Sequence, residues 1–104
     1  MTDKKIATSP EKKAALISLR DQYNGADAPA QRERLLQALG RYAISTFEAS
    51  RYLDIYDVRP RVWELRHKHG RNIDTVWQIV VTESGQTHRV GVYSLRPVDA
   101  KVSP

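Results

Sequence analysis

The sequence predicts one α+β domain in which helices come first and a β-hairpin follows. Apolar residues recur at helical spacing between residues 10 and 69, whereas from residue 73 they alternate with the period of two that is typical of strands. A length of 104 residues with 40% apolar composition suits a single modest core. Since the sequence has neither an internal repeat nor a low-complexity tract, we expect three or four helices and one hairpin in one unit.

The first helix is predicted from residue 10 to about residue 23. The sequence SPE at residues 9–11 offers an N-cap serine, a proline where a missing N–H does no harm, and an acid near the positive end of the helix dipole. Leu16 and Leu19 share one side of this helix, so that face must bury against the domain or against a second copy. We expect residues 1–26 to be an N-terminal tail and helix, and the helix to be the contact of a possible homodimer.

The second helix is predicted over residues 30–39, where leucines recur at helical spacing before Gly40, the expected C-cap. The third helix should begin at a capping box. In that arrangement the Ser45 side chain bonds the backbone near Glu48, and the Glu48 side chain reaches back toward Ser45. This helix is expected to end near Leu53.

The fourth helix is predicted over residues 57–69, with Asp57 as its N-cap and a proline confined to its first turn. Residues 59–71 hold five Lys or Arg and one Glu, so the positive charge of the chain is concentrated here. At about 100° per residue, an apolar stripe faces the core and the cations lie on the outer side and its shoulders. The residues expected to face the core are Val58, Val62, Leu65 and His69. Those expected to face outward are Pro60, Trp63, Glu64 and His67, with Arg71 just beyond the helix.

A hairpin is predicted over residues 73–95. Strand-forming residues with a period of two occupy both arms, and the sequence ESGQ at residues 83–86 supplies the turn. Pro97 is expected to end the second arm. The predicted organisation is therefore a domain at residues 27–96 followed by a short tail at residues 97–104.

Composition and spacing exclude several kinds of site and location. The sequence has no cysteine, which excludes a disulfide framework and a thiolate zinc site. No stretch approaches the ~20 apolar residues of a bilayer span, and the charged N-terminus lacks the apolar region of a secretion signal, so we expect a cytoplasmic protein without membrane contact. His67 and His69 would diverge by about 200° on a helix, so we expect no metal site. Without a phosphate loop or a nucleophile elbow, neither a cofactor nor an enzymatic activity is expected.

The order of helix, helix, turn, basic helix and hairpin resembles a winged helix-turn-helix. More narrowly, residues 30–95 resemble the small helix-turn-helix proteins of phages, prophages and bacterial genomes. The pattern of that family has alanine in the second helix, Leu-Gly-Ile in the turn, and Arg-(Val/Ile)-x-Glu-Leu-Arg before Gly-x-x-Ile. The matching residues are Ala49, Leu53, Ile55, Arg61, Val62, Glu64, Leu65, Arg66, Gly70 and Ile73. One departure is Asp54, which stands where glycine is usual.

The resemblance implies sequence-specific binding of double-stranded DNA, with the basic helix in the major groove, in a bacterial or phage transcriptional regulator. Useful specificity would come from a dimer that reads two half-sites. The residues implied in base reading or groove lining are Arg59, Arg61, Trp63, Glu64 and His67. Those implied in contacts to the DNA backbone are Ser45, Thr46, Lys68, Arg71 and Asn72, with Arg89 from the hairpin.

The same residues also allow structural interpretations. Glu64 is spaced to form ordinary helical ion pairs with Arg61 or with Lys68. Arg66 would then be a structural arginine at the edge of the core, paired with an acid such as Glu48. Trp63 would either shield the groove between helix and hairpin or stack on Trp77 in the core.

Two other functions fit the predicted fold. A winged helix can act purely as a protein-interaction module, whose exposed basic helix would dock an acidic partner. A DNA-binding accessory protein in recombination, replication or packaging is the other alternative. Salt-dependent binding to duplex DNA separates the first alternative from a regulator, since electrostatic contacts to phosphates release counterions.

Overall fold

The computed structural model describes residues 8–96. The predicted C-terminal tail, the end of the second arm at Pro97 and the first seven residues lie outside this range. Seven elements follow one another along the described chain. They are α1 (Pro10–Gln22), α2 (Ala28–Leu39), β1 (Ile44–Ser45), α3 (Thr46–Tyr52), α4 (Val58–His67), β2 (Ile73–Val81) and β3 (Thr87–Leu95).

The α+β prediction is confirmed, with four helices on an antiparallel sheet of strand order β1-β3-β2. The short strand β1 was not expected from the sequence. It exists because Ile44 pairs with Tyr93 and Ser45 pairs with Val92, so its stability comes from β3 and not from a local pattern. This pairing joins the start of α3 to the base of the hairpin.

The predicted helix starts are confirmed by their caps. Ser9 Oγ accepts from the backbone N–H of Lys12 at 3.1 Å. Asp57 Oδ1 accepts from the backbone N–H of Arg59 at 3.2 Å. α2 begins two residues earlier than expected, because the Asp27 carboxylate caps it by accepting from the backbone N–H of Ala30 at 3.1 Å.

The N-terminal helix packs on its own domain. Leu16 and Leu19 are buried in the same cluster as Leu35, Leu53 and the other core residues. Of the two partners that the sequence left open for this apolar face, the structure therefore provides the domain itself. The apolar face is therefore not the surface that a second copy would contact. A homodimer contact through the exposed side of this helix stays a prediction.

Glu48 ties α1 to the start of α3. Its carboxylate accepts from the Ser45 backbone N–H at 3.0 Å, from Lys12 Nζ at 3.0 Å and from Thr8 Oγ1 at 2.7 Å. The Ser45 side chain completes the predicted capping box by accepting from the Glu48 backbone N–H at 3.0 Å. Burial raises the pKa of Glu48, but the hydrogen bonds from Ser45, Thr8 and Lys12 outweigh it and hold the pKa below its ordinary value of 4.5. Removal of residues 8–22 would leave this buried carboxylate without two of its partners, Thr8 and Lys12.

The hairpin extends from residue 73 to residue 95 as predicted. Its turn closes where the Thr82 backbone N–H donates to Gln86 O at 2.8 Å, and Gly85 adopts a φ of +88° that glycine tolerates without strain. Only its base joins the core, through Ile73 and Tyr93. The outer half of the hairpin is exposed.

Candidate nucleic-acid interface

The connection between α3 and α4 is held rigidly. Leu53 and Ile55 are fully buried, and the Ile55 backbone N–H donates to Ala49 O at 3.0 Å. Asp54 lies between them with a φ of +56°. This left-handed conformation is one that aspartate tolerates better than most residues, which explains how the turn forms with aspartate in place of glycine.

The inner side of α4 is an apolar stripe, as predicted. Val58, Val62 and Leu65 are buried in the core. His69 was expected to share this side, but it is exposed. The reason is that α4 ends at His67, two residues earlier than expected, and the chain then turns through Gly70 at a φ of +66°. Helical periodicity consequently no longer applies to His69.

Arg59 lies at the outer start of α4 and is 77% exposed. Its Nε and Nη2 donate to the two carboxylate oxygens of Asp57 at 2.9 and 3.0 Å. Hydrogen bonds from Arg59 hold the pKa of Asp57 below its ordinary value, and Asp57 raises the pKa of Arg59 in turn. The guanidinium is accessible, and a phosphate or a base would have to compete with Asp57 for it.

Arg61 and Glu64 turn toward α2 and form an ion-pair network. Arg61 Nη2 donates to Glu64 Oε2 at 3.1 Å, and Arg32 Nη1 donates to Glu64 Oε1 at 2.9 Å. The side chain of Glu64 is only 20% exposed. The hydrogen bond from Arg32, together with Arg61, holds the pKa of Glu64 below its ordinary value despite partial desolvation. Of the two structural interpretations of Glu64, the pair with Arg61 is observed, and no ion pair joins it to Lys68 within residues 8–96.

The Nε atom of Arg61 is the weakest part of this network. It lies 3.0 Å from Glu64 Oε1, which is an ion-pair distance, yet it has no hydrogen-bond partner of adequate geometry. The misaligned N–H adds little, because hydrogen bonds weaken steeply with misalignment. Arg61 is therefore held by its two terminal nitrogens: Nη2 donates to Glu64 Oε2, and Nη1 donates to Gln31 Oε1 at 3.3 Å.

Arg66 is structural, but its partner differs from the expected one. Its Nε and Nη2 donate to Ile73 O at 2.9 and 2.7 Å, and Nη2 also donates to Thr75 Oγ1 at 2.8 Å. The expected partner Glu48 is instead engaged by Lys12. Arg66 thus fastens the end of α4 to the start of β2.

Trp63 is half-exposed on the outer side of α4, at 53%. Its ring stacks on the His67 imidazole, with the centroids 4.9 Å apart. Stacking on Trp77 in the core was one of two expectations for Trp63, and it is wrong. Trp77 is itself exposed on the hairpin, where its indole lies over Gly91 and 4.7 Å from the Arg89 guanidinium.

The residues predicted to contact the DNA backbone differ in how exposed they are. Lys68, Arg71 and Asn72 are exposed at the end of α4, where they follow one another around the turn. Ser45 is buried, and its hydroxyl is occupied by the capping box. Thr46 is partly exposed beside it. Arg89 lies on β3, where it covers Trp77.

Two exposed features near the interface were missed by the sequence analysis. Tyr56 is 95% exposed in the turn that leads into α4. On α3, the Arg51 guanidinium lies 5.7 Å from the ring of exposed Phe47. The signal for Tyr56 was its position directly before the N-cap, flanked by Ile55, which the resemblance assigns to the turn.

The outward side of α4 therefore consists of Arg59, Trp63 and His67, with Lys68 and Arg71 at its end. Such a surface of guanidinium, ammonium and aromatic groups on a rigid helix suits binding to phosphates and to the edges of bases. Within residues 8–96, no three His, Asp or Glu side chains come together as metal ligands would. Nor does this part of the chain contain a helix long and apolar enough to span a bilayer.

Comparison with known proteins agrees with this geometry. A family model described as winged helix-turn-helix domain matches residues 30–98, about two thirds of the chain. No curated protein and no solved structure matches the chain. The matched segment contains α2 from its third residue, α3, α4 and the hairpin, and a domain of this kind suggests DNA binding. The chain belongs to the winged helix-turn-helix domain family.

Proposed function

We propose that this protein binds double-stranded DNA sequence-specifically, with α4 in the major groove, as a transcriptional regulator of bacterial or phage origin. The observation that carries the proposal is the exposed outer side of α4, which combines Arg59, Trp63 and His67 on a helix whose opposite side is buried in the core. An α-helix fits the major groove, and every base pair is distinguishable there. The bacterial or phage origin is supported by the resemblance of residues 61–66 to proteins of those genomes.

Base reading is assigned to the three outward residues. Arg59 is placed to donate bidentately to a guanine once it leaves Asp57, and an arginine of this kind is worth about 1–3 kcal/mol of discrimination. Trp63 offers an apolar surface to a thymine methyl group. His67 presents a ring nitrogen on the same side of the helix, beside Trp63.

Arg61 and Glu64 have a positioning role in this proposal. The Glu64 carboxylate is engaged by Arg61 and Arg32, and the terminal nitrogens of Arg61 are engaged by Glu64 and Gln31, so neither side chain is free to read bases. The network fixes the orientation of α4 relative to α2. Base contacts through Arg61 or Glu64 would require the network to open.

Contacts to the DNA backbone are assigned to Lys68, Arg71 and Asn72, because these residues lie at the exposed end of α4. Thr46 adds a hydroxyl at the start of α3. Such contacts set the register of the protein without reading the sequence. Arg89 would join them only if the hairpin approached the backbone.

We also propose that the folded unit begins before residue 27. The apolar face of α1 belongs to the same core as α2 and α3. A truncation at residue 26 would therefore remove core leucines as well as a tail.

The cytoplasm is the compartment in which a regulator of this kind acts.

The experiment is a selection of binding sites from random duplexes, followed by titrations of the selected site at several salt concentrations. Arg59→Ala is expected to relax base preference at one position. Arg71→Ala is expected to weaken every duplex about equally and to reduce the salt slope by about one. Arg20→Ala, on α1, is the matched control and should change neither property.

Identical effects of Arg59→Ala and Arg71→Ala would overturn the division of roles. The absence of any salt-dependent binding to duplex DNA would overturn the proposed function. That second result would favour a module that docks an acidic protein on the same helix.

A further inference from the structure

The outer side of β2 is an unpaired edge of the sheet. In the sheet order β1-β3-β2, β2 has a neighbour on one side only. Its register with β3 runs without a bulge from Ile73 opposite Leu95 to Val81 opposite Thr87. A long, regular edge strand presents a row of backbone groups to any strand that can pair with it.

Known hydrogen bonds define which backbone groups face this edge. The Thr82 N–H donates to Gln86 O, and the Arg96 N–H donates to Asn72 O, each at 2.8 Å. Since pairing groups alternate along an antiparallel ladder, the even-numbered residues of β2 direct their backbone groups to β3 and the odd-numbered ones direct theirs outward. Ile73 agrees with this assignment, because its carbonyl is reached from outside by Arg66.

The open part of the edge therefore runs from Thr75 to Val81. Arg66 occupies the carbonyl of Ile73 and the hydroxyl of Thr75, and beyond that point the described side chains form no hydrogen bond to the edge. Proteins usually protect an edge strand from pairing with charged side chains, prolines or bulges. The stretch TVWQIVV contains no charge and no proline, and its register has no bulge.

Most side chains along this edge are apolar, and most are exposed. Ile79 is 56% exposed, and Val76 and Val81 are exposed beside it. The indole of Trp77 lies over Gly91 of β3, so it does not cover the backbone of β2. From residue 75 to residue 95, Glu83 and Arg89 are the only Asp, Glu, Lys or Arg. The edge consequently lacks the repulsion that would keep a second copy away.

We propose that β2 pairs antiparallel with β2 of a second copy, which makes the protein a dimer with one continuous sheet. The midpoint of the open stretch is Gln78, and a two-fold axis there places Trp77 opposite Ile79 of the second copy and Thr75 opposite Val81 of the second copy. Aromatic and β-branched pairs of this kind stabilise antiparallel strands. An isologous contact uses the same edge on both copies.

The assembly closes at two copies. The opposite edge of the sheet is β1, which has two residues and runs directly into α3. It is too short to pair with the long edge of another copy. A dimer through β2 thus leaves no open edge of comparable length in the described chain.

The test is sedimentation equilibrium of the full chain without DNA, so it is independent of the proposed function. The expected mass is twice 11.9 kDa at high concentration. Ile79→Glu adds a charge at the edge while placing a carboxylate opposite Arg89, its partner across the hairpin. It is expected to raise the dissociation constant by on the order of tenfold or more. Ser18→Glu, on the exposed side of α1, adds the same charge and should leave the dissociation constant unchanged.

Amide exchange on the unmodified protein supplies a second readout. Protection of the N–H groups of Thr75, Trp77, Ile79 and Val81 should increase with protein concentration, whereas Val76, Gln78 and Val80 should be protected at every concentration. A chain that stays monomeric at high concentration overturns the proposal. So does equal weakening by Ile79→Glu and Ser18→Glu, or a mass that grows beyond the dimer.

Discussion

Replacement of Arg34 by methionine should destabilise the fold by removing a buried hub of hydrogen bonds. Arg34 is 1% exposed. Its Nε donates to Leu53 O at 2.6 Å and its Nη2 to Asp54 O at 3.0 Å, so it holds the turn before α4. Its Nη1 donates to Tyr23 O at 3.0 Å and to Gly25 O at 2.8 Å, in the connection between α1 and α2. One side chain thus fastens two loops to α2.

The size of the expected loss in the free energy of unfolding follows from these four hydrogen bonds. A hydrogen bond from a charged group contributes about 1.5–3 kcal/mol, which would give a ceiling of roughly 6–12 kcal/mol for four. Three of the bonds are only partly buried, so water can replace the lost donors there. Desolvation also lowers the pKa of Arg34, which shows that burial of the charge opposes part of the gain. We therefore expect a loss of about 3–5 kcal/mol, a large share of the stability of a small domain.

The assay is urea unfolding followed by far-UV circular dichroism. Arg34→Lys keeps the charge but cannot reach four carbonyls in a planar fork, so it should fall between the native protein and Arg34→Met. Arg41→Met, at an exposed arginine just after α2, is the matched control and should stay within about 0.5 kcal/mol. The reasoning is refuted if Arg34→Met costs no more than Arg41→Met.

Three further predictions concern single residues. The pKa of Glu48 is lowered in the folded state, so ionised Glu48 stabilises the fold above its ordinary pKa of 4.5, and this stabilisation is lost as the pH falls through the lowered pKa. Glu48→Gln should therefore make the free energy of unfolding depend less on pH in the acid range, as followed by circular dichroism. An unchanged pH dependence would contradict this. Glu64→Gln should strengthen binding to random duplexes and steepen its salt slope, because it frees the charges of two arginines, and it should reduce the preference for the selected site, because α4 loses its contact with Arg32. The control Glu11→Gln, on α1, should do neither, and equal effects of the two variants would disprove the role of the network. Gly70→Ala should lower the free energy of unfolding in urea by about 1 kcal/mol, because alanine is strained at the φ of +66° that Gly70 adopts. The control Gly40→Ala, at a φ of −69°, should cost less. The reverse order would contradict the argument.

Local chemistry made much of the fold predictable. The caps at Ser9, Ser45 and Asp57 involve residues two or three positions apart, so the sequence contains both partners of each bond. The strands were likewise visible as a period of two. By contrast, β1 depends on pairing with β3 almost fifty residues later, and no local pattern marks a strand of two residues.

The burial of charged side chains was the least predictable part. The burial of Arg34 could not be predicted from the sequence. It is one of several polar residues on a helix, and its acceptors are backbone carbonyls, which every residue type supplies. Glu48 was recognised as a capping residue, but its partner Lys12 lies 36 positions away. Charge patterns along a chain show where cations are dense, and only the packing decides which of them are neutralised.

The Arg-Val-x-Glu-Leu-Arg segment shows how this affects the assignment of function. Val62 and Leu65 are core residues, Arg61 and Glu64 bind α2, and Arg66 binds the start of β2. Every fixed position of the segment thus serves to hold α4 in place, and the variable position is Trp63, which faces outward. Under the proposed function, this arrangement would keep α4 in one position while the outer residue varies among proteins that read different DNA sequences. The residues that resemble the family therefore hold α4 in place, and under the proposed function we expect specificity to come from the outer positions Arg59, Trp63 and His67.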